Sequence, residues 1–115
     1  MKYPTPDLYD RYTIELLKRE RANADNLQHL LTLENAIRER GWHQDFINDL
    51  KKTNGQIWDL ESDIRKGKEG ELGLEEVGRR AIAIRDINGL RIMIKNEIAK
   101  YFGEFLEKKY NHGSE

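Results

Sequence analysis

Taken at every third and fourth position from Val77, the last third of the chain reads Val77, Ile84, Ile87, Arg91, Ile94, Ile98, Tyr101 and Phe105. This is the apolar stripe of an α-helix, and only other helices are on hand to cover it, because no segment alternates as a strand would. One charge, Arg91, breaks the stripe, with Asn88 and Lys95 a turn to either side on the same flank. The preceding segment behaves alike: its stripe of Ile47, Leu50, Asn54, Ile57, Glu61 and Ile64 carries two polar members, with Trp58 and Arg65 on its shoulder. A neutral polar group buried alone costs on the order of 2–7 kcal/mol, so such residues must find partners or water. They mark either a layer that sets helix register or a site.

The fold class expected is therefore all-α, an antiparallel bundle of three or four helices forming one domain over residues 1–115, with a frayed tail from about 110. Thr5 is expected as N-cap of the first helix, with Pro6 at its first position and Asp7 at the positive end of the dipole. This helix runs to about Arg21. A second is expected from about Asn26 to Arg40, ended by Gly41. With no Gly or Pro between Asp7 and Arg40, a single long helix is the alternative. The third is expected from about Gln44 to Arg65, with Gly55 inside it as either a close-approach point or a mild defect. Three glycines within Gly67–Gly73 mark a loop, and a fourth helix follows from near Leu74 past Tyr101, with Gly103 as a break or end.

Ideal hairpins about Gly70 and about Gly41 suggest which side chains meet. They set Ile57 level with Ile84, Asn54 with Ile87 and Asn88, Glu61 near Arg80, and Glu34 near Leu50 and so toward Arg91. The first helix contributes Asp10, Thr13 and Lys18 from a face that also carries Ile14, Leu17 and Arg21. A cluster of Asp10, Lys18, Glu34, Asn54, Arg91 and Lys95 is expected on this register.

Composition narrows the class. Charged residues make up 36% of the chain and hydrophobic ones 37%, which suits amphipathic helices with wet outer faces. Two Trp, five Tyr and three Phe with a net charge of -1 argue against disorder and against a basic nucleic-acid binder. No apolar run reaches the roughly 18 residues of a membrane helix, and the opening residues show no secretory h-region, so a cytoplasmic location without membrane partners is expected. The absence of cysteine excludes disulfides and thiolate metal sites.

The chemistry open to this chain is limited. An Arg and a Lys one turn apart can hold a carboxylate or phosphate, the first as a planar fork and the second as a point charge; in the bland reading Arg91 and its amide neighbours only fix register. Trp58 is expected in the core with its ring N–H on an acceptor, or else as a stacking platform for a sugar or base. Asp45 with Asp49, and Asp59 with Asp63, have helical spacing but lack the inward Glu-x-x-His pairs of di-metal bundles, so no metal or other cofactor is expected. His29, His43 and His112 are isolated, with His43 expected at the surface. No nucleophile elbow or phosphate-cradling loop is present.

Three segments resemble an uncharacterised all-α bacterial family. They are Asp10–Lys18 (DRYTIELLK), Asn54–Arg65 (NGQIWDLESDIR) and Asn88–Ile98 (NGLRIMIKNEI), similar to patterns D-K-x-T-I-L-x-x-K, N-x-x-L-W-x-I-E-D-x-I-R and N-D-x-R-x-x-x-K-x-x-I. The ending Glu107-Lys108-Lys109-Tyr110 is similar to its E-E-K-x-Y tail, whereas Arg11 replaces a Lys and Ser62 an acidic residue. The resemblance implies an all-helical fold and brings no assigned activity.

The functional expectation is a non-catalytic helical protein, either an assembly module or a binder of a small anionic or sugar-like ligand. Its polar layer would comprise Asp10, Lys18, Asn54, Trp58, Glu61, Arg65, Asn88, Arg91 and Lys95. A homodimer fits long helices around a thin core. The alternative is a small enzyme acting on a carboxylated or phosphorylated metabolite through Arg91 and Lys95.

Overall fold

The computed structural model describes residues 3–64 and 73–104. Within them lie four helices and no strand: α1 (Thr5–Ala22), α2 (Leu27–Arg40), α3 (Gln44–Asp63) and α4 (Leu74–Tyr101). The expected glycine loop, Arg65, Phe105, His112 and the tail fall outside the described residues.

A single long helix through residue 40 does not form. Asn23 takes a left-handed conformation (φ 52°) and its N–H bonds back to the Lys18 carbonyl, ending α1; Asn is one of the few residues that visits this region readily. Thr5 is not a cap but the first residue of α1. Its N–H and hydroxyl both donate to the Glu104 carboxylate, tying the start of α1 to the end of α4.

α1 is the axis of the molecule and is buried on several sides, through Leu8, Tyr9, Asp10, Tyr12, Thr13, Glu15 and Leu17. It runs antiparallel to α2, as the Asn26 amide on Glu15 and the Arg40 guanidinium on the Tyr3 carbonyl and Thr5 hydroxyl show. It is also antiparallel to α4, with Asp7 opposite Lys95 and Asp10 opposite Arg91. α3 runs alongside it in the same direction, fastened by Lys51–Glu20 and Arg21–Asp59 pairs. Asp59 is therefore ion-paired across helices. Gly55 does admit a close neighbour, but that neighbour is a side chain: Arg21 donates to the Gly55 carbonyl, and a Cβ there would sit 3.1 Å from its guanidinium.

The core lies at one end. Leu8, Tyr9, Tyr12, Leu30, Leu33, Ile37, Ile47, Leu50 and Ile98 form it, with Phe46 and Phe102 packed against it. Tyr9 fastens the turn between α2 and α3 by donating to the Gly41 carbonyl at 2.7 Å and accepting from the His43 N–H at 2.9 Å. Gly41 has φ 127° and faces the Phe102 ring, so backbone and space both require glycine. His43 is half-buried rather than at the surface, its ring stacked on Phe46 at 4.1 Å and edge-on to Tyr101. Tyr101, expected in the α4 seam, meets the His43, Phe46 and Phe102 rings edge-on and is otherwise exposed.

Away from this end the packing thins. No described residue of α4 before Asn96 is buried, and Val77, Ile84 and Ile87 are only half-covered. A cleft opens there between α1, α3 and α4.

Tyr9→Phe deletes one donor and one acceptor at a buried turn while keeping the ring. It is expected to lower stability by about 1–3 kcal/mol, read as a lower urea midpoint with an unchanged slope.

Candidate functional site

The open half of the bundle is a cleft of about 630 Å³ between α1, α3 and α4, within the size range of small-molecule sites. Each helix contributes by its spacing. On α3, Asn54, Ile57, Trp58 and Glu61 follow one another at intervals that share a face. On α4 the face is Ala81, Ile84, Arg85, Asn88 and Arg91, and on α1 it is Ile14, Leu17 and Lys18. Six of the nine candidate residues thus meet in one cavity: Lys18, Asn54, Trp58, Glu61, Asn88 and Arg91.

The floor of the cleft is a hydrogen-bonded string. Arg91 grips Asp10 with two prongs, Nε at 2.9 Å and Nη2 at 2.6 Å. Asn54 donates its amide to Asp10 and to the Thr13 hydroxyl, both at 3.0 Å, and Thr13 in turn donates to the Asp10 carbonyl at 2.8 Å. Arg91 also donates through Nη1 to the Asn88 side-chain oxygen at 2.9 Å. The charges therefore orient both amides. A carboxylate accepts only, so Asn54 must turn its NH₂ toward Asp10; a guanidinium donates only, so Asn88 must turn its oxygen toward Arg91.

Burial pushes the Asp10 carboxyl upward, but the bonds from Arg91 and Asn54 and the nearby Lys95 charge prevail and hold it below the usual carboxylate range. Asp10 is thus a fixed anion that anchors α3 and α4 to α1. Arg91 points inward, as its place in the seam predicts, with 28% of its side chain exposed against 9% for Asp10.

The other candidates fall elsewhere. Lys95 pairs with Asp7 at 3.0 Å and lines a smaller hollow of about 300 Å³ on the far side of Arg91, beside Tyr3, Arg11 and Glu15. Glu34 does not approach Arg91: it meets the Tyr12 hydroxyl and Arg38 on the opposite flank of α1, because α2 packs on α1 and not along α3. Arg65 lies outside the described residues. Trp58 is a half-buried wall of the cleft and not a core residue.

Thr13 was placed on the contributing face of α1 with Asp10 and Lys18 but left out of the expected cluster, because it carried no pattern marking it as a bond partner, and Arg85 escaped the sequence reading. Arg85 is one turn from both Ala81 and Asn88, and that spacing was a usable signal. No grouping of three or more His, Asp or Glu suited to a metal ion occurs among the described residues.

No family model matches the chain, and comparison with curated proteins and with solved structures finds no significant match.

Asp10→Asn leaves Arg91 without its carboxylate and is expected to cost on the order of 2–4 kcal/mol at neutral pH, the partial exposure of Arg91 holding it below a fully buried pair. Because the native carboxyl titrates below its unfolded value, its contribution is complete above about pH 4 and is lost as acid protonates it. Urea midpoints measured from about pH 6 down to pH 2 should fall less steeply for the variant than for the parent. A residual slope is expected from Glu15, whose carboxyl burial raises but the Asn26 and Lys18 bonds lower further.

Proposed function

We propose that this protein binds a small anionic or sugar-like ligand in the cleft between α1, α3 and α4, and that it does so as a binder and not as an enzyme. One observation carries this reading: a cavity of ligand size joins an apolar wall of Trp58, Ile57, Ile14 and Ile84 to a polar floor whose amides are held in set orientations by Asp10 and Arg91. Apolar lining with a few oriented polar groups is the common form of a small-molecule site.

A catalytic role for Arg91 and Lys95 is less well supported, since each already holds a carboxylate of α1. Among the described residues no helix is long and apolar enough to cross a membrane, and a cytoplasmic setting belongs to this same reading. So does membership in the all-helical family: the segments that carry the resemblance supply Lys18, Asn54, Trp58, Glu61, Asn88 and Arg91 to the cleft.

The test uses a Trp42→Phe background, in which Trp58 is the one remaining indole. Small carboxylates, phosphates and sugars are titrated against its fluorescence. At least one class should give a saturable change that Trp58→Phe silences and that Asn54→Ala weakens about tenfold or more in a parallel thermal-shift assay. A flat response across all classes would sink the proposal.

The assembly reading has an observation of its own. The outer face of α4 exposes Ile82 (51%), Leu90 (52%) and Met93 (46%), and a second copy of the chain would cover them. On that reading sedimentation velocity should show a dimer that Ile82→Glu dissociates; a monomer at micromolar concentration removes it.

A further inference from the structure

The helical register orders the cleft into levels. Asp7 opposite Lys95 and Asp10 opposite Arg91 fix how α1 and α4 pass each other. One turn further along, Ile14 comes level with Asn88, and the next turn brings Lys18 level with Ile84 and Arg85. On α3 the same progression is Asn54, Trp58, Glu61. The floor is therefore two amides beside Arg91, whose charge is paired with Asp10, the middle is apolar with one aromatic ring, and the rim is charged.

Each level limits what can bind. At the floor, both amides line the cleft; Asn54 has committed its NH₂, which leaves its oxygen as the end it can offer there, and Asn88 has committed its oxygen, which leaves its NH₂. Asn54 is 7% exposed, so its free oxygen is an acceptor in a site with little water. An acceptor and a donor side by side match a hydroxyl group, which accepts from one and donates to the other. They do not match a carboxylate, which only accepts and has no hydrogen to give Asn54. Arg91 does not change this, because its charge is offset by the Asp10 carboxylate directly behind it.

In the middle, Trp58 is the only aromatic among the described lining residues and shares the cleft with aliphatic Ile14, Leu17 and Ile84. One aromatic plane in a cleft otherwise lined by aliphatic groups fits a saturated ring with a C–H face. A flat base would be better served by planes on both sides. At the rim, Lys18 and Arg85 outnumber Glu61. Lys18 pairs with the mostly buried Glu15 at 3.1 Å and Arg85 with the exposed Asp86 at 3.4 Å, and both cations keep a solvent-facing side that a ligand can reach.

We infer that the ligand is a hydroxylated saturated ring bearing one anionic group, bound ring-inward, with a ring hydroxyl bridging Asn54 and Asn88, the ring on Trp58, and the anion at the rim beside Lys18 and Arg85. Arg91 is a positioning residue: it orients the amides and does not touch the ligand. This rests on the cleft being a binding site.

Three probes separate the levels, read by Trp58 fluorescence in the Trp42→Phe protein: hexopyranosyl phosphates, methyl hexopyranosides and inorganic phosphate. A hexopyranosyl phosphate should bind at least about tenfold more tightly than either fragment. Salt should weaken the sugar phosphate and leave the methyl glycoside unaffected, since only the former uses exposed charge. The double variant Lys18→Gln/Arg85→Gln, altered at exposed positions, should reduce the sugar phosphate to the affinity of the glycoside and abolish its salt dependence. Arg91→Lys keeps the charge but loses the fork, and should weaken sugar phosphate and glycoside by the same factor with the salt slope unchanged.

Inorganic phosphate binding as tightly as the sugar phosphate would overturn the inference and leave a cleft that binds anions. A nucleoside binding more tightly than the sugar phosphate would overturn it as well. Silence from every probe, together with the flat response described for the wider panel, would remove the cleft as a site and the inference with it.

Discussion

The carboxylate of Asp10 is where three helices are held in common. It sits on α1, receives two bonds from Arg91 of α4, and receives a third from Asn54 of α3. An ion pair taken out of water gains little unless its geometry is good and its remaining lone pairs are used. Here the fork geometry and the Asn54 amide meet both conditions, which is why a charge is tolerated in an otherwise apolar seam. The arrangement also has a directional effect. By claiming one end of each neighbouring amide, the pair decides which polar group each turns to the cavity. Structural and site roles of the polar layer are thus one network seen from two sides.

Burial is distributed to match. Leu8, Tyr9, Leu33, Ile37, Leu50 and Ile98 are fully enclosed at the end where α1 begins and α4 finishes. Beyond the Asp10–Arg91 pair α1 and α3 stay joined through Arg21 on the Gly55 carbonyl and Lys51 on Glu20, and apolar side chains such as Ile14, Ile57 and Ile84 line the cleft that opens between α1, α3 and α4. The pair stands at the boundary between the dense and hollow halves, where a polar group can be bonded on one side and reach a cavity on the other.

Much of this was legible in the residues. The interrupted seam of α4 placed Arg91 inward, and the shared face of Asn54, Trp58 and Glu61 followed from spacing alone. The helix limits also fell within a residue or two of those expected. What failed did so for definable reasons. Glu34 was brought toward Arg91 by treating Gly41 as the corner of a hairpin, but Leu30, Leu33 and Ile37 find their cover on α1, and Tyr9 holds the corner so that α2 turns away. His43 is an unremarkable residue in the sequence, and only the convergence of Phe46 and Tyr101 encloses it. The cleft itself was not legible, because α4 carries apolar residues on most of its circumference, and a stripe that borders a void is spelled like one that borders a core.

The eccentric placement of the core has a consequence for how the molecule breathes. Local opening is easiest where few apolar groups are enclosed, so the leading turns of α4 can detach while the Tyr9 and Ile98 end stays closed. Amide protons there should exchange by small fluctuations, and those near Leu8 and Leu33 only through global unfolding. The molecule resembles a clothes-peg, sprung at the Asp10–Arg91 pivot, whose jaws part without the spring letting go.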